Sequence, residues 1–114
     1  MKRRQKTAFG QFLVDEIKRA GMSQEEFYNA VKIKKPYFYN LLTATPPPID
    51  LQNRMLAVLD EKTGEDKNRR SIFYDLAAQG RDEIPADIAR FITDHPNDLN
   101  SIRAALMNLN VAQH

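Results

Sequence analysis

The chain contains no cysteine, only four glycines and no long apolar run. Without cysteine it can form no disulfide bond, thiol nucleophile or thiolate metal site. No apolar stretch approaches the ~20 residues that a membrane-spanning helix requires, so we expect no membrane partner. The basic start of the chain is not followed by an apolar stretch, and we therefore expect no secretory signal. These absences are compatible with a reducing, cytoplasmic location.

Helical periodicity dominates what the chain does contain. Of 114 residues, 42% are hydrophobic and 28% are charged, which is typical of one soluble globular domain. Apolar residues recur three and four apart, and no segment has the pattern of a strand. The sequence therefore predicts an all-α fold. Seven helices are expected, over about residues 7–19, 23–31, 35–43, 50–60, 66–78, 85–94 and 99–109.

The same spacing predicts which side chains face the core. We expect each of the first six helices to turn one apolar face toward the core. The residues expected on these faces include Phe9, Leu13, Phe27, Phe38, Leu41, Met55, Ile72, Phe73, Ile88, Phe91 and Ile92. Gly80 is predicted to end the fifth helix, and Asp50 to cap the fourth. Pro46, Pro47 and Pro48 forbid helix and indicate a rigid corner.

Charge is distributed unevenly along the chain. Residues 1–43 hold nine Lys or Arg against four Asp or Glu, whereas residues 44–114 hold eight against eleven. The net charge of the whole chain is only +2. A basic front half on a nearly neutral chain indicates a polyanionic partner.

Residues 24–43 carry the most informative motif. Ser23 and Glu26 have the spacing of a capping box, in which each side chain accepts a hydrogen bond from the other residue's backbone amide. A break at residues 32–34 separates this helix from the next one, where Pro36 is tolerated in the first turn. Two short helices joined by such a break form a helix-turn-helix candidate.

These residues resemble a known family. The runs Ser23-Gln-Glu-Glu-Phe27, Val31-Lys-Ile33 and Pro36-Tyr-Phe38 are similar to the Cro/repressor-type helix-turn-helix of phage and bacterial regulators, the XRE class. The run from Arg81 to Ile92 is similar to small regulators on mobile elements of low-GC bacteria. The resemblance covers roughly residues 7–95 and implies a lambda-repressor-like bundle that regulates transcription, for example as a repressor, by occupying an operator.

The resemblance also implies a division of the chain. Residues 1–6 form a basic N-terminal arm, residues 7–61 the helix-turn-helix domain, and residues 66–114 a C-terminal helical extension. Two positions depart from the usual family pattern. Tyr28 stands where a small residue, commonly Ala, is usual, and Lys32 stands in the turn where Gly is usual. Either the angle between the helices differs or the motif serves another purpose.

An α-helix fits the major groove, where each base pair presents its own pattern of donors and acceptors. With Phe38 and Leu41 facing the core, Asn40 is placed to bond adenine and Lys35 to donate to guanine. Gln24 begins the preceding helix, where a phosphate can be held. The basic arm can follow the backbone or enter a minor groove. The candidate DNA-binding residues are Gln24, Lys34, Lys35, Tyr37, Tyr39, Asn40, Thr43, Arg3 and Arg4.

The last helix carries an apolar seam with heptad-like spacing, which we call the C-terminal seam: Leu99, Ile102, Leu106 and Leu109. A single helix-turn-helix buries little surface, so such proteins usually dimerise on paired half-sites. We therefore expect a homodimer held by this seam. The alternative is ordinary packing of the seam onto the fifth and sixth helices.

Catalytic function is not expected. His95 and His114 are isolated, and no glycine-rich phosphate loop is present, so we expect no enzyme activity, no metal and no cofactor. A second hypothesis is a protein-interaction module, or an antitoxin-like protein, that uses the same fold to bind a protein partner. Exposed Tyr37, Phe38 and Tyr39 beside the proline corner would serve such a partner.

Overall fold

The computed structural model describes residues 5–112, with side chains up to residue 109. The predicted all-α architecture is confirmed, since the described residues form α-helices, one short 3₁₀ turn at Pro96–Asp98 and no strand. The α-helices are α1 (Ala8–Arg19), α2 (Gln24–Ala30), α3 (Lys35–Thr43), α4 (Ile49–Thr63), α5 (Lys67–Arg81), α6 (Ala86–Asp94) and α7 (Leu99–Ala112). No helix among the described residues is long and apolar enough to cross a membrane.

Local side-chain chemistry fixes several of the helix starts. The Thr7 hydroxyl accepts a hydrogen bond from the Gly10 amide, and the Asp66 carboxylate accepts one from the Arg69 amide, each at 3.0 Å. Such caps satisfy amides of the first turn that have no partner within the helix. Asp50 does not cap α4, contrary to expectation. It lies inside the first turn, and Pro48 occupies the cap position.

A single core is built from α1 to α5. The Phe9 and Phe73 rings meet edge to face, with centroids 5.1 Å apart, and join α1 to α5. Both rings are fully buried. The fifth helix, assigned from the sequence to the C-terminal extension, is therefore part of the same core as residues 7–61. The extension beyond this core begins after α5.

Two glycines allow close approaches between elements. A Cβ on Gly10 would lie 2.0 Å from the carbonyl oxygen of Leu42, so only glycine lets α1 sit against the end of α3. Gly80 lies one residue before the last residue of α5, and the ring of Pro46 packs where a side chain would be, 2.5 Å from an ideal Cβ. The corner formed by Pro46 and Pro47 is accordingly buried.

Helices α6 and α7 differ from the sequence-based expectation. Ile88 and Phe91 were predicted to face the core, but they are 49% and 55% exposed, and α6 has no buried residue. Ile72 on α5 is also exposed. Periodicity correctly gives α6 one apolar face, but no other described part of the chain covers that face.

Helix α7 projects from the body of the molecule. It packs against the preceding 3₁₀ turn and makes no comparable contact with any other described helix. The radius of gyration is 16.3 Å, against about 13 Å for a compact chain of this length. The C-terminal seam therefore does not pack onto α5 and α6, which was the alternative to a dimer.

Candidate nucleic-acid interface

Helices α2 and α3 are joined by a turn of defined geometry. The capping box at the start of α2 is confirmed: the Ser23 hydroxyl accepts from the Glu26 amide at 3.0 Å, and the Glu26 carboxylate accepts from the Ser23 amide at 2.9 Å. At the end of α2, Lys32 has a left-handed backbone with φ of 64°. The turn thus has the conformation for which glycine is usual, adopted here by lysine at a cost of about 1–2 kcal/mol.

Tyr28 fills the space between the two helices. Its ring is half-buried and packs against Phe38, with centroids 5.4 Å apart, while Phe27 contacts the same ring at 6.1 Å. The larger side chain is therefore accommodated by aromatic packing between α2 and α3. Phe38 itself is only 2% exposed, so the expectation that it forms part of an exposed protein-binding surface is wrong. Its position on the buried face of α3 excludes that role.

Arg54 of α4 also supports the turn, and the sequence analysis missed it. Its guanidinium donates to the carbonyl oxygen of Val31, the last residue before the turn, at 3.0 Å. Carbonyls at the end of a helix have no partner within the helix, so this bond satisfies one of them. No local signal could have found it, because the donor lies 23 residues away in sequence.

The outer face of α3 is set by the side chains that it buries. Phe38, Leu41 and Leu42 are buried, so the opposite row is formed by Pro36, Asn40 and Thr43, which are spaced four and three apart.

Within that row, Asn40 is exposed, and its side-chain amide makes no hydrogen bond to any described residue. The Thr43 hydroxyl donates to the carbonyl of Tyr39 at 3.0 Å, which leaves its methyl group at the half-buried edge of the row. Tyr37 and Tyr39 flank the row and are 44% and 39% exposed.

Lysines surround the N-terminal end of α3. Lys34 and Lys35 are exposed, as is Lys32 in the turn, and none of the three forms an ion pair with a described carboxylate. Helix α3 itself contains no Asp or Glu. The positive charge of this end is therefore not neutralised by contact within the part of the chain that the structure describes.

A groove of about 320 Å³ runs between α2 and α3 beside these lysines. It brings Gln24 of α2 together with Lys35 and Tyr39 of α3, three of the residues predicted to bind DNA. The complete lining is Gln24, Glu25, Tyr28, Lys35, Phe38 and Tyr39. Helix α2 is only seven residues long, so the contribution of Gln24 to a phosphate contact rests on its exposed side chain.

The N-terminal arm leaves the body next to the end of α3. The Thr7 amide and hydroxyl both donate to the carbonyl oxygen of Leu42, at 2.9 and 3.2 Å. Lys6, directly before Thr7, is exposed. Arg3 and Arg4, predicted to touch DNA, lie outside the described residues.

Electrostatics of the motif centre on Glu26. Hydrogen bonds from the Ser23 amide and hydroxyl lower the pKa of the Glu26 carboxyl from its usual value of 4.5. Lys62 of α4 adds a smaller effect in the same direction. The capping carboxylate is thus held ionised at neutral pH, where it stabilises the start of α2.

The predicted dimerisation residues are partly accessible. Leu99, Leu106 and Leu109 are exposed, and Ile102 is half-buried. Met107, beside the C-terminal seam, is exposed as well. The seam is therefore an apolar surface that the rest of the described chain does not cover.

Other cavities lack a recognisable catalytic arrangement. A groove of about 470 Å³ between α4, α5 and α6 contains the Tyr74 hydroxyl, which donates to Asn53 at 2.6 Å, with Arg70 over the tyrosine ring. A third depression holds Glu16, Arg19 and Arg69. The described residues contain no group of three or more His, Asp or Glu placed to hold a metal.

Comparison with known proteins gives no match: no family model, no curated protein and no solved structure is significantly similar to the chain.

Proposed function

We propose that this protein is a sequence-specific DNA-binding regulator of the helix-turn-helix type, with the lambda-repressor-like arrangement of the XRE class. The observation that carries the proposal is the outer face of α3: Asn40 faces outward without a hydrogen bond to any described residue, and lysines that pair with no described carboxylate surround the N-terminal end of the same helix. In this proposal α3 enters the major groove and α2 lies across the backbone.

Base reading falls to Asn40 and Lys35. An asparagine side chain can accept from N6 of adenine and donate to N7 at the same time, and a lysine can donate to the O6 and N7 acceptors of guanine. Tyr37, Tyr39 and Thr43 border the same face, where their side chains add contacts with bases or sugars. Occupation of an operator by this face would regulate transcription.

Phosphate contacts position the reading helix. Lys34, together with Gln24 at the facing end of α2, would hold the strand that borders the groove. Arg3 and Arg4 belong to an arm that joins the body beside the last turn of α3, which would deliver their charges to the flanking backbone. Phosphate contacts require only charge and position, so they favour DNA without selecting its sequence.

A homodimer completes the proposal. One reading helix contacts too few base pairs for high specificity, and two copies would span half-sites about 34 Å apart. The exposed C-terminal seam of Leu99, Ile102, Leu106 and Leu109 is the surface that a second copy would cover.

The salt dependence of DNA binding tests the electrostatic part of this proposal. We expect Lys34→Gln to reduce the slope of log affinity against log salt by about 1, because the phosphate contact of one cation is lost. Lys67→Gln is the matched control, since Lys67 is equally exposed but lines a different depression on α5. Fluorescence anisotropy with a labelled duplex measures both slopes.

Equal slopes for the wild type and Lys34→Gln would remove this lysine from the phosphate contacts. A protein that binds no duplex at low salt would contradict the DNA-binding proposal as a whole. Binding to a protein partner through Tyr37 and Tyr39 would then be the function to test, without the contribution of Phe38 that is buried here.

A further inference from the structure

Two apolar surfaces of the C-terminal part of the chain are left uncovered. One is the C-terminal seam on α7. The other, which we call the α6 strip, is formed by Ile84, Ile88 and Phe91, which are 59%, 49% and 55% exposed. Ile88 and Phe91 are three residues apart and share one face of α6, and Ile84 lies two residues before the helix begins. The ring of His95 stacks on Phe91 at 4.1 Å and extends this face toward the 3₁₀ turn.

We infer that the two surfaces cover each other between two copies of the chain. In this arrangement the seam of one subunit packs on the α6 strip of its partner, and the two-fold axis repeats the contact. The inference deepens the proposed homodimer by naming the partner surface, and it does not depend on DNA. It makes α6 a dimerisation element as well as α7.

Charge complementarity favours this pairing over pairing of seam with seam. Arg103 is the only charged residue of α7 and flanks the seam, and α7 offers no carboxylate to receive it. On α6, Asp87 and Asp94 are seven residues apart and lie along one flank of the strip. Asp94 already pairs with Arg90 of the same helix at 3.7 Å, so Asp87 is the carboxylate available to Arg103 of the partner subunit. Seam-to-seam pairing would leave the two Arg103 side chains without acidic partners. In the pairing of seam with strip, each Arg103 lies on the side of the partner subunit's α6 that carries an acidic residue.

The apolar area is close to what a specific dimer requires. Full burial of a large aliphatic side chain removes roughly 100 Å² of apolar surface from water, to judge from its transfer free energy. The α6 strip and the exposed seam residues are six side chains, each about half exposed, which amounts to roughly 300 Å² per subunit. Since an interface is about 60% apolar, two copies would bury about 1,000 Å² in total, which is about the size that a biological interface should reach.

The position of α7, which projects from the body, also supports a contact between the seam of one subunit and the α6 strip of the other. Helix α7 makes no substantial contact with its own α6, so each surface is available to the other copy. Phe91 supplies an aromatic anchor at the centre of such a contact, and aromatic residues are enriched among the side chains that dominate interface energetics.

Single-cysteine variants test the pairing directly, because the chain has no native cysteine. Ile88→Cys and Leu106→Cys place one thiol on the α6 strip and one in the seam. Ala104→Cys is the matched control, since Ala104 is exposed on the opposite face of α7. Purified full-length variants are mixed, treated with a short bis-maleimide, and analysed by intact mass, which separates mixed from like-with-like dimers.

We expect the mixture of Ile88→Cys and Leu106→Cys to give a cross-linked dimer with one copy of each, at several times the yield of any mixture containing Ala104→Cys. We also expect Arg103→Glu to weaken dimerisation several-fold in sedimentation velocity, and Asp87→Lys in the same chain to restore it. Circular dichroism verifies that each variant keeps its helices.

A higher yield of Leu106→Cys linked to itself would overturn the inference in favour of seam-to-seam pairing. Yields no higher than those of the Ala104→Cys control, with a monomeric wild type at the same concentration, would exclude a second copy from both surfaces. Neither result depends on DNA, so failure of this inference is distinguishable from failure of the proposed DNA-binding function.

Discussion

Gly10→Ala tests the packing that seats the proposed reading helix. An added Cβ would lie 2.0 Å from the carbonyl oxygen of Leu42 and 2.8 Å from its Cα. Ordinary contacts between heavy atoms lie near 3.5 Å, so α1 and α3 must separate by roughly 1 Å or more. Overpacking of this kind costs about 1–3 kcal/mol, and the obstacle here is backbone, which cannot rotate away.

The size of the effect follows from two opposing contributions. We expect the overpacking to cost about 3 kcal/mol, the upper end of the usual range. The reason is that the Leu42 carbonyl also accepts both hydrogen bonds from Thr7. Alanine returns about 1 kcal/mol through its higher helix propensity. The net loss of unfolding free energy is therefore about 2 kcal/mol, which lowers the Tm of a chain of this length by about 8 °C.

Urea and thermal unfolding followed by circular dichroism measure this loss. Ala57→Gly at an exposed position inside α4 is the control, because it reports the propensity difference between Ala and Gly without a packing change. A Gly10→Ala variant as stable as the wild type, or more stable, would refute the close contact between α1 and α3.

Two further predictions concern the helix-turn-helix: one its turn at Lys32, the other the capping box at the start of α2. Lys32→Gly should raise the unfolding free energy by about 0.5–1 kcal/mol in urea titrations, because glycine removes the left-handed strain at φ 64°; an equal gain from Lys32→Ala would contradict that cause. Glu26→Gln should make stability less dependent on pH. The pKa of Glu26 is lowered by folding, so its contribution is present above pH 4.5 and is lost as pH falls through the folded pKa; parallel pH profiles of the two proteins would contradict this.

Local sequence signals predicted much of the architecture. The capping box of Ser23 and Glu26 depends on neighbouring residues only, and α3 occupies the predicted span. The same holds for buried faces of helices whose partners lie in the same core, such as Phe27 and Phe38. In these cases side-chain spacing and cap chemistry determine the structure.

Features that depend on distant contacts could not be predicted in this way. The contact between Gly80 and Pro46 joins residues 34 apart in sequence, so the reason that a glycine stands near the end of α5 was not visible in the local sequence. Ile88 and Phe91 have the spacing of a buried face, but spacing does not reveal whether the covering surface belongs to the same chain.

In the candidate site, the outward position of Asn40 follows from helical period alone. The hydrogen bond from Arg54 and the packing of Tyr28 required the tertiary structure.

The most direct test of the DNA-binding proposal is selection from a pool of random duplexes at two salt concentrations, with the wild type and Asn40→Ala in parallel. We expect the wild type to enrich a two-fold symmetric motif with adenine at one fixed position of each half-site. Asn40→Ala should enrich the same motif without that preference, because the bidentate contact to adenine is lost. Recovery of no motif by the wild type, or of an unchanged motif by Asn40→Ala, would contradict the assignment of α3 as the base-reading helix.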